Sequence, residues 1–219
     1  MPRLSAHGVV PVTRGTAEAY PAPGMPDFAA LDTPAQMTFR ERLLLYAFAV
    51  ARRPARVLEI GTCEGGSALI LRRALGAEPL IVCIDPAPRW SEETRRELGA
   101  RTQLLTTRSP GAIAAAATIA GGPFDLVLVD GDHTTEGVAA DLHGVVPHLA
   151  AGAHLLLHDA HYWRVRDGID RVLGEVPSLR DAGLLSTEQT IADRHEEGHP
   201  VIWGGLRLLY HHDTSPGLP

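Results

Sequence analysis

Two short stretches concentrate side chains that can bind a cation or move a proton. Asp130-Gly131-Asp132-His133 follows the apolar run FDLVLV, and His158-Asp159-Ala160-His161 follows HLLL. Carboxylate oxygens favour hard divalent ions such as Mg2+, Ca2+ or Mn2+. An imidazole three residues after a carboxylate stands close enough to act as a general base, which assigns that role to His133. Six of the eleven histidines fall between positions 133 and 161. Of these, His143, His148 and His154 read as surface or capping residues. Asp130, His133 and Asp159 form the candidate centre, with His158 either a third metal ligand or a support for one. A third stretch is Glu59-Ile60-Gly61-Thr62-Cys63-Glu64-Gly65-Gly66-Ser67. Glycines between a strand and a helix let a ligand approach backbone and a helix N-terminus. The spacing G-x-x-x-G-G is not the G-x-G-x-x-G of a dinucleotide site, which argues against a nicotinamide dehydrogenase. Glu59 suits a cationic or hydroxyl-rich ligand, and Ser67 an anionic group such as a carboxylate. Asp85, followed by Pro86, is placed to accept hydrogen bonds from ribose hydroxyls. Ser109 either caps a helix or touches an adenine edge.

These residues need a frame that brings them together, and the hydropathy rhythm supplies one. Residues 36–51 read as a helix. Short apolar runs at 56–60, 80–84, 102–106, 124–129 and 154–157 read as strands. Between them, 65–75, 91–98, 111–120 and 135–149 read as helices, the last with Val138, Leu142, Val145 and Leu149 on one stripe. Several strands are continuously apolar, so both faces should be covered. That predicts an α/β fold with a doubly wound, mostly parallel sheet and helices on both faces. Right-handed crossovers put the ligand crevice at the carboxyl ends of the strands, where every candidate residue lies. A helix at 167–173 follows, and segments at 184–191 and 201–209 are expected to add an antiparallel edge.

The chain has 219 residues, 45% of them hydrophobic, enough for one full core. A net charge of -6 argues against a general grip on nucleic acid. Two cysteines, Cys63 and Cys83, make no disulfide framework, and no stretch is apolar enough to span a membrane. A cytoplasmic protein is expected. Residues 1–35 carry six of the seventeen prolines and read as an arm, flexible or serving as a lid or dimer contact. Residues 36–210 form the single catalytic domain and 211–219 a tail. Oligomer base rates and the arm favour a homodimer.

The motif Leu58-Glu59-Ile60-Gly61-Thr62-Cys63-Glu64-Gly65-Gly66-Ser67 resembles the cofactor loop of class I S-adenosylmethionine-dependent O-methyltransferases of the catechol O-methyltransferase type. The resemblance covers roughly 36–209. It implies a Rossmann-like sheet of seven strands, and S-adenosylmethionine held by Glu59, Gly61, Thr62, Cys63, Ser67, Asp85, Pro86, Ser109 and Asp130. It also implies a divalent metal, Mg2+ above others, at Asp130, His158 and Asp159. The catechol type has Asp-Asn where this chain has His158-Asp159, and a Lys base where it has His133. Val129-Asp130-Gly131-Asp132-His133, with Glu136-Gly137-Val138 and Asp141 following, is similar to a branch acting on macrolide sugars and related secondary metabolites. The implied reaction is methyl transfer to a hydroxyl oxygen of a small molecule. Tyr162, Trp163 and the arm are candidates to wall the acceptor pocket. A metal-independent methyltransferase and a metallohydrolase built on the Asp/His cluster are the alternatives.

Overall fold

The computed structural model describes residues 28–212. The expected arm therefore enters the structure only from residue 28, and its first part and the last seven residues of the tail lie outside the described residues. Strands β1 (Arg56–Ile60), β2 (Leu80–Ile84), β3 (Thr102–Leu105), β4 (Phe124–Val129) and β5 (Leu149–Leu157) are joined by helices α2 (Gly66–Leu75), α3 (Glu92–Leu98), α4 (Ile113–Ala120) and α5 (Thr135–Val145). Helix α1 (Phe39–Arg52) precedes them, and α6 (Trp163–Glu175) follows. Strands β6 (Leu179–Ser186) and β9 (Leu206–His211) complete a seven-stranded sheet of order β3-β2-β1-β4-β5-β9-β6. The first five strands are parallel, and β9 and β6 run antiparallel at the far edge. This is the fold expected from the sequence.

Alternate strand residues feed two cores, as the period of two requires. Leu58, Val82, Val127 and Leu155 pack with Ile113, Val138, Leu142, Val165 and Ile169 of α4, α5 and α6. Val57, Ile81, Leu126 and Leu156 pack with Leu45, Ala49, Ile70 and Leu71 of α1 and α2. The strand order reverses direction between β1 and β4, the point where an open α/β sheet leaves a crevice.

The element boundaries differ from expectation by three residues or more at four places, one of them helix α6, which spans Trp163–Glu175 rather than 167–173. Helix α1 starts later, because Thr38 caps it in a box with Glu41; residues 34–37 remain an irregular strap. Helix α5 ends at Val145 and passes into a 3-10 turn, Val146–His148, because Pro147 cannot continue it. Strand β5 begins at Leu149 rather than 154: the segment Ala150-Ala151-Gly152-Ala153 joins it through a register shift opposite Phe124 and Leu126. At the C-terminal end, the expected edge segments are divided. The sequence 190–203 leaves the main sheet as a ribbon of β7 (Thr190–Glu196) and β8 (His199–Trp203). Strand β7 is largely exposed and polar, so it offers the sheet no apolar face.

Candidate active site

The strand tips are locked together by backbone hydrogen bonds that continue each ladder by one residue. Gly61 N–H donates to Ile84 O (2.9 Å), Asp85 N–H to Leu105 O (3.1 Å), Asp130 N–H to Ile60 O (2.8 Å) and His158 N–H to Val129 O (3.1 Å). Four candidate residues thereby stand in one row at the carboxyl edge of the sheet. The row opens into a cavity of about 440 Å3, within the usual range for a small-molecule site. Gly61, Thr62, Cys63, Ser67, Asp85, Pro86, Ser109, Asp130, His133, His158 and Asp159 all line it. Glu59 does not: it is fully buried behind the wall.

The glycine-rich loop is held by carboxylates, not by ligand alone. Asp85 Oδ2 accepts from the N–H groups of Thr62 (3.0 Å) and Cys63 (2.7 Å), and Oδ1 accepts from Ala87 N–H (2.8 Å). One lone-pair direction of about four remains for a hydroxyl. Ser67 donates its hydroxyl to Glu59 Oε1, and Cys83 donates its thiol to Glu59 Oε2 at 3.1 Å. Burial pushes the Glu59 carboxyl up to about 7, against the pull of the Ser67, Cys83 and Thr62 donors. Burial likewise pushes the Cys83 thiol well above its ordinary value. The three glycines each answer a packing demand. A Cβ on Gly61 (φ +81) would stand 2.0 Å from Asp130 O, one on Gly65 (φ +83) 2.8 Å from Thr94 Cγ2, and one on Gly66 2.0 Å from Ala35 N.

The charged centre is a chain of alternating signs. His133 Nε2 lies 3.3 Å from Asp130 Oδ1 and 3.1 Å from Asp159 Oδ2. His158 Nδ1 lies 3.1 Å from Asp130 Oδ1, and its Nε2 3.3 Å from Glu41 Oε2. Glu41 has no exposed surface; its Oε1 accepts from Gly205 N–H at 2.6 Å and its Oε2 from Thr38 N–H at 2.9 Å. Asp159, at φ +54, accepts from Gly204 N–H at 2.6 Å. Burial alone would raise the Asp130 carboxyl, but His158 and His133 together hold it well below the carboxylate range. Burial opposes the charge on His133 as well, yet its contacts to Asp130 and Asp159 raise its pKa to about 9. His158 is raised well above its ordinary value by Asp130 and Glu41, against the effect of its burial.

A metal has a donor set here that differs from the expected one. The ligand atoms of Asp130, His133 and Asp159 lie within 4.8 Å of one another. His158 instead spends both ring nitrogens on carboxylates. Tyr162 and Trp163 do not line the cavity; they hold the β7–β8 ribbon. Tyr162 donates its hydroxyl to Glu196 and packs its ring 4.5 Å from Trp203, while Trp163 stacks on His199 at 4.8 Å. Trp203 in turn sets its ring edge-on to His133 at 5.6 Å. Glu41 and Trp203 are absent from the sequence reading, which also gave Gln36 and Met37 to a helix. Thr38-x-x-Glu41 was a visible capping box, but nothing in the sequence tied it to a site over a hundred residues away.

Pro34, Ala35, Gln36 and Met37 form one wall of the cavity. The segment has no regular structure and is held by Arg42, whose guanidinium donates to the carbonyls of Leu31 (3.2 Å), Thr33 (3.0 Å), Ala35 (2.5 Å) and Met37 (3.0 Å). Arg73 donates to Ala29 O and Asp32 O, both at 3.0 Å. The last two residues of the expected arm, Pro34 and Ala35, therefore form part of the cavity wall.

Residues 58–160 match a family model described as a methyltransferase domain. The match spans β1 to the turn after β5 and so contains the glycine-rich loop and both acidic tips. Over 93 residues the chain is 39% identical to the catechol O-methyltransferase of Mycobacterium tuberculosis, a match that spans 41% of that relative's length. A solved cofactor-bound structure of Rv0187 from MTB is 25% identical, covering 84% of this chain and 85% of that one at a TM-score of 0.58. An O-methyltransferase from Bacillus cereus, solved in complex with SAH, is 18% identical and covers 84% and 86% of the two chains at a TM-score of 0.60; this likeness is one of fold. The resemblance to S-adenosylmethionine-dependent O-methyltransferases is borne out. Among the described residues, no helix is long and apolar enough to cross a membrane.

Proposed function

We propose that the chain moves a methyl group from S-adenosylmethionine to a hydroxyl oxygen of a small molecule, a secondary metabolite with an apolar or ring-shaped body. The observation that carries this reading is that the glycine-rich loop, Asp85 and the Asp130–His133–Asp159 centre line one cavity. S-adenosylmethionine, when bound, supplies an electrophilic methyl group. The protein's part is alignment, because an in-line displacement depends on holding nucleophile, carbon and leaving group in register. Asp85 offers its remaining lone pair to a ribose hydroxyl. The amides of Gly61 and its neighbours, fixed by Asp85 and Ile84, keep the loop rigid at the switch between β1 and β4. Ser109 lies at the end of the cavity bounded by α5.

A neutral hydroxyl is a weak nucleophile, so its proton must leave. His133 Nε2 is the acceptor in reach, and its imidazole must be neutral to act. The two carboxylates beside it favour the protonated ring. Their oxygen-rich donor set fits a hard divalent cation, which would balance the charge that the imidazolium balances now and acidify a hydroxyl. We assign Asp130 and Asp159 as its ligands, with His158 orienting Asp130 from behind. Trp203, edge-on to the His133 ring, backs that imidazole from outside the cavity. Localisation in the cytoplasm, a homodimer and a single domain over 36–210 belong to the same proposal.

Calorimetry with S-adenosylhomocysteine tests the cofactor: micromolar binding is expected, and no binding refutes it. His133→Ala is expected to lower turnover ~100-fold or more with S-adenosylhomocysteine binding retained. Full activity in excess EDTA would remove the metal from the reading and leave the metal-independent form.

A further inference from the structure

Glu41 is a carboxylate the mechanism above does not use. A capping box asks only that the third residue of α1 reach back to the cap; it does not ask that the side chain be buried. Here the side chain has no exposed surface, and carboxylates are almost never fully buried unless paired. Its partners come from three parts of the fold. Oε2 accepts at 2.9 Å from the N–H of Thr38, the first residue after the strap. Oε1 accepts at 2.6 Å from the N–H of Gly205, in the turn between β8 and β9. The third partner is His158 at the tip of β5, whose Nε2 lies 3.3 Å from Oε2.

His158 is the link to the centre. Its backbone is fixed by the hydrogen bond to Val129 O, but rotation about the Cβ–Cγ bond is soft for an imidazole. Nδ1 has two carboxylates in reach, Asp130 Oδ1 at 3.1 Å and Asp159 Oδ2 at 3.6 Å. A partner at the opposite nitrogen decides between them, and Glu41 is that partner. A ring held at both ends keeps Nδ1 on Asp130 Oδ1, the oxygen that also meets His133 Nε2 at 3.3 Å. Both imidazoles thus share one carboxylate oxygen, and its direction sets where the rest of the Asp130 carboxylate points.

We propose that Glu41 is a positioning residue of the centre: acting through His158, it fixes the Asp130 carboxylate for a divalent cation and for His133. The role rests on the methyl-transfer reading, in which Asp130 is a metal ligand and His133 the base. Helix α1 then does more than cover the sheet, since an acid in its first turn sets the orientation of a group at the tip of β4.

A double-mutant cycle on the full chain tests this, with Glu41→Gln, His158→Gln and the pair, reading Mn2+ and S-adenosylhomocysteine affinity by calorimetry. Each single variant is expected to weaken Mn2+ binding ~10- to 100-fold, the range for residues that orient a metal's ligands. The pair is expected to lose no more than His158→Gln alone, because Glu41 reaches Asp130 only through His158. S-adenosylhomocysteine affinity is expected to stay close to wild type. Thr38→Ala separates stability from positioning: it removes the hydroxyl that caps Glu41 N–H, so the melting temperature should fall while Mn2+ affinity holds. The ring 15N signals of His133 give a readout that needs no metal; they should shift in Glu41→Gln as in His158→Gln, and not in Thr38→Ala. Should Glu41→Gln fail to fold, Glu41→Asp, one methylene short of His158, is read in its place. Unchanged Mn2+ affinity in Glu41→Gln, losses that add in the pair, or an unmoved His133 signal each overturn the proposal. If the wild type binds S-adenosylhomocysteine but not Mn2+, the metal leaves the reading and the His133 signals decide alone. If it binds neither, the methyl-transfer reading falls, and the same signals still decide whether Glu41 positions Asp130.

Discussion

Glu59→Gln isolates one buried carboxyl whose ionisation opposes folding at neutral pH. The Glu59 carboxyl has an ordinary value of 4.5 and is raised to about 7 in the folded chain, chiefly by burial. Below pH 4.5 both states hold the proton. Between 4.5 and about 7 the folded state keeps it while the unfolded chain has released it, so stability falls as pH rises. Above about 7 both states are ionised and the loss is complete. The interval is about 2.5 units, and at about 1.4 kcal/mol per unit the loss amounts to roughly 3 kcal/mol. Glutamine cannot ionise, so the variant lacks this slope. It still offers an acceptor to Ser67, and its amide faces the weakly accepting Cys83 sulfur, which adds an offset independent of pH over this range. Urea denaturation of both proteins at pH 4.5 and pH 8 measures the difference. Other groups that titrate in this window act equally in both proteins and cancel. The stability of Glu59→Gln relative to wild type should rise by roughly 3 kcal/mol from the lower to the higher pH. Parallel pH dependences would refute the reasoning.

Three further outcomes are expected. Arg42→Ala removes the donor to four carbonyls between Leu31 and Met37, two of them in the strap, and should cost roughly 2–4 kcal/mol while weakening S-adenosylhomocysteine binding; unchanged melting and binding would show that the strap stands without it. Gly66→Ala tests the strap's position by sign. A free helix position would gain up to about 1 kcal/mol from alanine, whereas the contact with Ala35 N predicts a loss of about 1–3 kcal/mol in urea denaturation. Glu41→Ala leaves Gly205 N–H and His158 Nε2 without their buried acceptor, and a loss of about 3 kcal/mol or more is expected, with Glu41→Gln less severe; a melting temperature within a degree of wild type would refute it.

The sheet was legible because its strands are continuous apolar runs separated by periodic helices, a pattern that leaves few topologies. The tips were legible because Asp85, Asp130 and His158-Asp159 each end such a run. Burial geometry was not. The sequence put Glu59 on the cavity wall, yet a carboxylate inside a five-residue strand can face either core, and here it turns to Ser67 and Cys83. His158 and His133 were assigned by order along the chain. The side on which the His158 ring stands follows from Glu41, whose approach depends on α1 packing against the sheet. Long-range pairs of this kind, such as Glu41 with Gly205 and Tyr162 with Trp203, have no local signature. The division of 190–203 into a separate ribbon also depends on where its aromatics dock, since either segment could have joined an edge.

The hold of one guanidinium on four carbonyls gives the strap no conformation independent of helix α1. A ligand that touches Gln36 or Met37 is therefore coupled to the folding of the helix that begins two residues later. Whatever binds the folded form raises stability by RT ln(1 + [L]/Kd), and this holds for local order as well as for the whole chain. Occupancy of the cavity and protection of the α1 backbone amides against hydrogen exchange should consequently rise together. The end of the chain's first segment would then report, through its exchange rate, whether the pocket is full.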